Sequence, residues 1–324
     1  MSLICNVVII MLSKKRQREM VKQVYGTGGR FTREIRRMYR TANRQIKGEI
    51  SSFVDSKANW SGKPSNDDIQ EAVDELAQFS EDVKPLVNYY ASSLLLGHPK
   101  NGDVVTAHIA VPLIKVADQV QGMVSFMGNH APKVVHAASR EQHRVTPQLH
   151  KIPYNYDVML QRSVSESVTQ REQISTNINR DIQQTISRVR DVCKQASQDT
   201  DAHHDYSKDV DRILTGKDGH GGASAKAQTI MRTQSCRELS GSRIDDMMAR
   251  DVKKYRFISL EAQNTCVECA EMDGNVYDVD DAQEGVNLPP MHPNCQCTIE
   301  PVEDTDTDDL PSLDEMMDNP DLFE

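Results

Sequence analysis

Donors that could bind a soft or borderline metal ion are concentrated between Cys266 and Cys297. The stretch opens with Cys266-Val267-Glu268-Cys269 and closes with Pro289-Pro290-Met291-His292-Pro293-Asn294-Cys295-Gln296-Cys297. A Cys-x2-Cys pair can bring two thiolates to one side of a tight turn, and His292-x2-Cys295-x-Cys297 can supply the rest of a tetrahedral shell. Five candidates, Cys266, Cys269, His292, Cys295 and Cys297, therefore compete for about four places around a structural zinc ion. Cys266 and Cys269 form the first pair. On the other side His292 and Cys295 repeat the two-residue gap, while Cys295 and Cys297 share a face if the chain is extended there. Spacing does not rank His292 against Cys297. The same residues also admit two disulfides, or reduced thiols buried as small apolar groups.

Short elements must position these donors. Asp273-Gly274-Asn275 is a turn signal between the two halves, followed by Val276 and Tyr277 as a short strand. Upstream, Ala227, Ile230, Met231, Leu239 and Ile244 mark the inward face of a helix starting near Ala223. Lys254 to Leu260 alternates like a strand and leads into Cys266. Gly216-Lys217-Asp218-Gly219-His220-Gly221-Gly222 reads as a hinge, which makes 201–222 a Gly-rich linker and 223–302 a small α+β domain with a zinc-type Cys/His clasp.

The region ahead of that linker, 13–200, reads as mainly α and elongated. Phe31, Ile35, Met38, Ala42, Ile46, Ile50 and Phe53 recur every three or four residues, with Arg33, Arg36, Arg37, Arg40, Arg44 and Lys47 largely on the other faces. The glycines of Tyr25-Gly26-Thr27-Gly28-Gly29 predict a break before this helix. They do not form a phosphate loop, because no strand precedes them and no Gly-Lys-Ser/Thr follows. A second helix follows Ser65 or Asn66. A third apolar segment, Val104 to Phe126, contains Pro112, and 128–157 reads as a connector with short helical pieces. Val164, Val168, Ile174, Ile178, Ile182, Ile186, Val189 and Cys193 then define a long helix with one narrow apolar seam, suited to packing or assembly. His203, His204 and His220 lack the company of cysteines or suitably spaced carboxylates and read as solvated.

Composition narrows the class. At 324 residues the chain can bury a full core. A formal net charge of -10 argues against a dedicated nucleic-acid binder, and no Lys or Arg follows Arg256. Seven cysteines, four of them in the clasp, with Cys5, Cys193 and Cys236 each alone, suit a reducing cytosol. Leu3 to Leu12 is apolar but has no basic flank or cleavage site, and it falls short of the roughly 20 residues of a spanning helix. Residues 1–12 are an uncertain leader or an over-extended start, with translation from Met11 the preferred reading. Residues 303–324 form an acidic tail expected to be disordered.

The order of motifs is more specific than any one of them. Arg232-Thr233 in a helix, Cys-x2-Cys, Asp273-Gly274 and Pro-Pro-x-His-Pro-x-Cys-x-Cys together resemble the phage head morphogenesis family that includes the Mu F-like minor head proteins. The resemblance covers roughly 223–301. Gln234 stands where that family commonly has Glu, Gln296 where it has Arg, and Tyr255 or Phe257 where Trp is frequent; these departures question an ion pair between helix and clasp. The resemblance implies a minor capsid protein of a tailed bacteriophage, made in the host cytoplasm and carried in the virion inside the capsid near the portal. Its implied roles are head assembly and DNA packaging or delivery, with the portal protein as partner and scaffold, major capsid protein or packaged DNA as further contacts, and no membrane. It implies no catalytic step.

Two rivals belong to other classes. A zinc-stabilised nucleic-acid-binding protein would use the basic helix 30–50, since phosphate binding needs cations at the contact and 257–324 has no Lys or Arg. A metal-dependent hydrolase would need an open coordination position beside Glu268 or Asp273 as base, whereas a thiolate-rich set favours a closed structural ion.

Overall fold

The computed structural model describes residues 3–145, 156–199, 204–259 and 266–302. Among these the chain is mainly helical, with a small antiparallel sheet near the C-terminal end. The helices are α1 (Leu3–Asp55), α2 (Asn66–Leu76), α3 (Lys84–Leu95), α4 (Asn101–Val145), α5 (Tyr156–Gln198), α6 (Tyr206–Leu214), α7 (Gly222–Ala249) and α8 (Val267–Met272). The strands are β1 (Lys254–Ile258), β2 (Val276–Asp278) and β3 (Thr298–Val302). None of the described helices is long and apolar enough to cross a membrane. The acidic tail, 303–324, lies outside the described residues.

Three expectations about breaks are corrected. The glycines at 26, 28 and 29 do not interrupt α1, whose helix is continuous from Leu3 to Asp55. A Cβ added at Gly28 would sit 2.4 Å from Ser235 Oγ and 3.1 Å from its Cβ. Gly28 is therefore where α1 crosses α7 closely, and that packing offsets glycine's poor helix propensity. The connector expected over 128–157 is largely helix, because α4 runs through Pro112, Gly128 and Pro132 to Val145. The segment expected as linker contains α6, which buries Val210, Ile213 and Leu214.

Contacts divide the chain into two compact units whose ranges interleave, with boundaries inside α1, α4, α5 and α7 rather than at the Gly-rich segment. The unit formed by 29–126 and 168–231 is helical. Ile35, Tyr39, Ala42, Ile46 and Ile50 of α1 are buried in it, as the periodicity predicts. So are Ile178, Ile182, Ile186, Val189 and Cys193 of α5. From Ile178 to Cys193 the α5 seam is thus buried within that unit's own core. Asp211 on α6 accepts a hydrogen bond from Asn43 (2.6 Å) and pairs with Lys47 (2.5 Å), tying α6 to α1.

The unit formed by 1–28, 127–167 and 232–324 holds the sheet. β1 is central, antiparallel to β2 with Tyr255 opposite Tyr277, and antiparallel to β3 with Phe257 opposite Ile299. Alternation along β1 buries Tyr255 and Phe257. Tyr255 joins Ile244, Met247, Val279, Leu288 and Ile299 in one apolar cluster, and Phe257 joins the cysteines in another. The inner side of α7 is unusually polar: Arg250 and Asp246 form a buried pair at 2.9 Å, with His136 Nδ1 3.8 Å from Asp246.

Candidate metal centre

β1 and its two neighbours bring the halves of the clasp together. At one end of β1, the Phe257 N–H donates to Asn275 O and Gly274 N–H donates to Phe257 O, both at 2.9 Å. Gly274 has φ 78, so the turn read from Asp273-Gly274-Asn275 needs glycine at that position. Asp273 Oδ1 accepts the Ser259 N–H at 2.6 Å, which gives this carboxylate a structural task. β3 pairs along the opposite edge of β1, with Thr298 opposite Ile258, and delivers Cys297 to the same end of the sheet.

Cys266 is the N-cap of α8, and its Sγ accepts the Cys269 N–H at 3.3 Å. This backbone hydrogen bond leads the effects that lower its pKa from the usual thiol range. One turn of helix places Cys269 behind it, almost fully buried. From the other half, His292 Nε2 lies 3.1 Å from Cys266 Sγ and 3.3 Å from Cys269 Sγ. A tetrahedral ion with one sulfur and one nitrogen ligand separates the two donors by about 3.5 Å, given usual zinc bond lengths. His292 Nδ1 is 2.9 Å from Pro293 O, and since a carbonyl only accepts, Nδ1 carries a proton there and Nε2 is the ring nitrogen that faces the two sulfurs.

All five residues singled out by spacing converge, in two overlapping groups. Cys266, Cys269 and His292 have donor atoms within 4.8 Å of one another, and so do Cys269, Cys295 and Cys297. Cys269 belongs to both. No carboxylate joins either group among the described residues. Burial pushes the Cys269 thiol up to about 12, whereas hydrogen bonds from Cys236 and then Cys297 hold Cys295 well below the usual thiol range. Donor type and spacing, four sulfurs and one ring nitrogen in two overlapping groups, fit a four-coordinate metal with sulfur and nitrogen ligands.

The closing loop is fastened to α7. The Pro289-Pro290 peptide is cis, and Asn294 has φ 67, a left-handed conformation that Asn tolerates better than most residues. Its N–H donates to Thr233 Oγ1 at 3.0 Å, and its side-chain oxygen accepts from Arg232 at 3.2 Å. Arg232 and Thr233 therefore join helix to clasp by hydrogen bonds. Gln234, fully buried, instead donates to Glu238 at 2.5 Å and accepts from Arg237 at 2.9 Å. The ion pair linking α7 to this lobe is one turn further on, Arg237 with Glu284 at 2.6 Å.

Cys236 is a correction to the reading of three isolated cysteines. It is fully buried in the same cluster, and its thiol donates to Cys297 O at 3.4 Å. Its position 30 residues ahead of Cys266, outside any Cys-x2-Cys spacing, carried no signal in the sequence. Cys193 does behave as an inert thiol, with burial pushing it up to about 12. The side chain of Cys5 lies outside the described residues.

Residues 172–300 match the family model described as Phage Mu protein F like protein. The matched stretch contains all five clasp residues and bears out the resemblance to a phage head morphogenesis family, extending it upstream into α5. Over that stretch the chain is similar to a phage head morphogenesis family, and the same stretch carries a Cys/His cluster able to hold a metal ion. No curated protein and no solved structure gives a match.

Proposed function

We propose that the protein is a minor capsid component of a tailed bacteriophage, located in the virion near the portal, whose Cys/His cluster holds one structural zinc ion. It acts in head assembly and DNA packaging or delivery through contact with the portal protein. The observation carrying this reading is the coincidence of the family-matched stretch with a closed donor set of cysteine and histidine. Four of Cys266, Cys269, His292, Cys295 and Cys297 hold the ion, which supplies cross-linking to a lobe with little sheet of its own. A non-catalytic role is supported by the donor chemistry. The set has a surplus ligand rather than an open position, Glu268 is exposed on α8, and Asp273 caps a backbone N–H. The test is complementation of a phage lacking this gene with a Cys266→Ser, Cys269→Ser double variant. Production of DNA-filled heads should fall by about a hundredfold or more if the ion's contribution to folding is essential. Unchanged yield would refute the role of the cluster in the head.

A second reading, contact with packaged DNA, has its own observation. Arg30, Arg33, Arg37, Arg40 and Arg44 are all exposed on α1, alternating three and four residues apart, which sets them in one stripe along the helix. Arg36 and Lys47 are not part of it, being engaged by Gln228 and Asp211. Replacing Arg33, Arg37 and Arg40 with Gln should flatten the salt dependence of duplex binding by about two to three units of slope. An unchanged slope would leave the stripe merely solvated.

A further inference from the structure

The clasp is completed from outside the family-matched stretch. Tyr25, on the first helix, reaches the cysteine cluster, and its hydroxyl donates to the backbone carbonyl of Cys297 at 2.5 Å. The same carbonyl accepts the weaker Cys236 thiol donor at 3.4 Å. The tyrosine hydroxyl is thus the strong donor to the one peptide that follows the last candidate ligand. The approach is enforced three residues along α1, where Gly28 lies against Ser235, the neighbour of Cys236 in sequence. Helix α1 therefore packs on α7 at the level of the cluster, and Tyr25 projects past α7 to Cys297.

We propose that Tyr25 is a positioning residue for the metal site. Its hydroxyl fixes the Cys297 peptide so that the Cys295–Cys297 end of the loop faces Cys269. This rests on the zinc reading given above. A carbonyl hydrogen bond of this kind limits rotation of the peptide on which the thiolate direction depends, so its loss is felt in metal affinity before it is felt in overall fold. The metal would in turn hold the 22–28 stretch of α1, because that stretch is docked through the same contact.

The experiment uses the full-length protein, with zinc affinity measured by competition against a chromophoric chelator and with the visible spectrum of the cobalt(II)-substituted form. Tyr25→Phe keeps the ring and removes the donor. Tyr39→Phe, which removes a buried hydroxyl elsewhere on α1, is the control. The expected result is about tenfold weaker zinc binding and an altered cobalt spectrum for Tyr25→Phe, in keeping with loss of one buried hydrogen bond, and neither change for Tyr39→Phe. Wild-type affinity in Tyr25→Phe, or equal weakening in both variants, overturns the assignment while leaving the zinc reading intact. A wild-type protein that binds no zinc overturns both. Hydrogen exchange on the wild type supplies a second measure independent of any variant: chelation should deprotect residues 22–28 of α1 while 35–46 keep their protection. Uniform protection along α1 with and without metal contradicts the proposal.

Discussion

Among the described residues Cys269 is the donor that both groups of facing ligands share, whereas Cys266 and His292 belong to one and Cys295 and Cys297 to the other. If the ion takes Cys266, Cys269 and His292 plus one sulfur from the far group, Cys295 and Cys297 can substitute for each other. Zinc bound per chain, measured after gel filtration, should then fall to near zero for Cys269→Ser and remain near one for either Cys295→Ser or Cys297→Ser alone. Retention of zinc by Cys269→Ser would contradict this arrangement. At this scale the sequence was informative because short spacing is local: Cys-x2-Cys on a helix N-terminus and His-x2-Cys in a tight loop nearly dictate proximity. Cys236 and Tyr25 were invisible for the opposite reason. They reach Cys297 across 61 and 272 residues, and their positions follow from helix packing that no local pattern encodes.

The same contrast holds for elements. The helical stripes of α1 and α5 and the strand at 254–258 were legible because a buried face imposes a period of 3.6 or 2 on the sequence. What misled were glycine and proline, read as punctuation. In α1 the glycines are packing positions or neutral sites, and in α4 helix continues through Gly128 and Pro132. Two neighbouring substitutions separate these roles. Gly26 has nothing within 4 Å of an added Cβ, so Gly26→Ala should stabilise the protein by about 0.5–1 kcal/mol through helix propensity. Gly28 faces Ser235, so Gly28→Ala should destabilise it by about 1–3 kcal/mol through overpacking. Denaturant unfolding of the two variants checks the pair, and the same sign for both would refute the close crossing of α1 and α7. The α5 seam carries a related lesson. Its apolar spacing suggested an assembly surface, but Ile178 to Cys193 are already covered within their own unit, so any portal contact must use other residues.

For the whole molecule, the domain plan was the least legible feature. A Gly-rich segment between two compositions suggested a boundary at 201–222, yet the compact units interleave along the chain and long helices run through their limits. Helices of this length carry no sequence mark where one packing environment gives way to another. The consequence for the sheet-bearing unit is that it draws on α1 and α4 as well as on the family-matched stretch, and the zinc ion proposed at its Cys/His cluster would cross-link it. Elemental analysis of the full-length protein, purified without added metal and then unfolded by heat with and without a strong chelator, tests this most directly. One zinc per chain is predicted, with the chelated protein melting at least about 10 °C lower. A metal-free protein whose melting is indifferent to the chelator would contradict it.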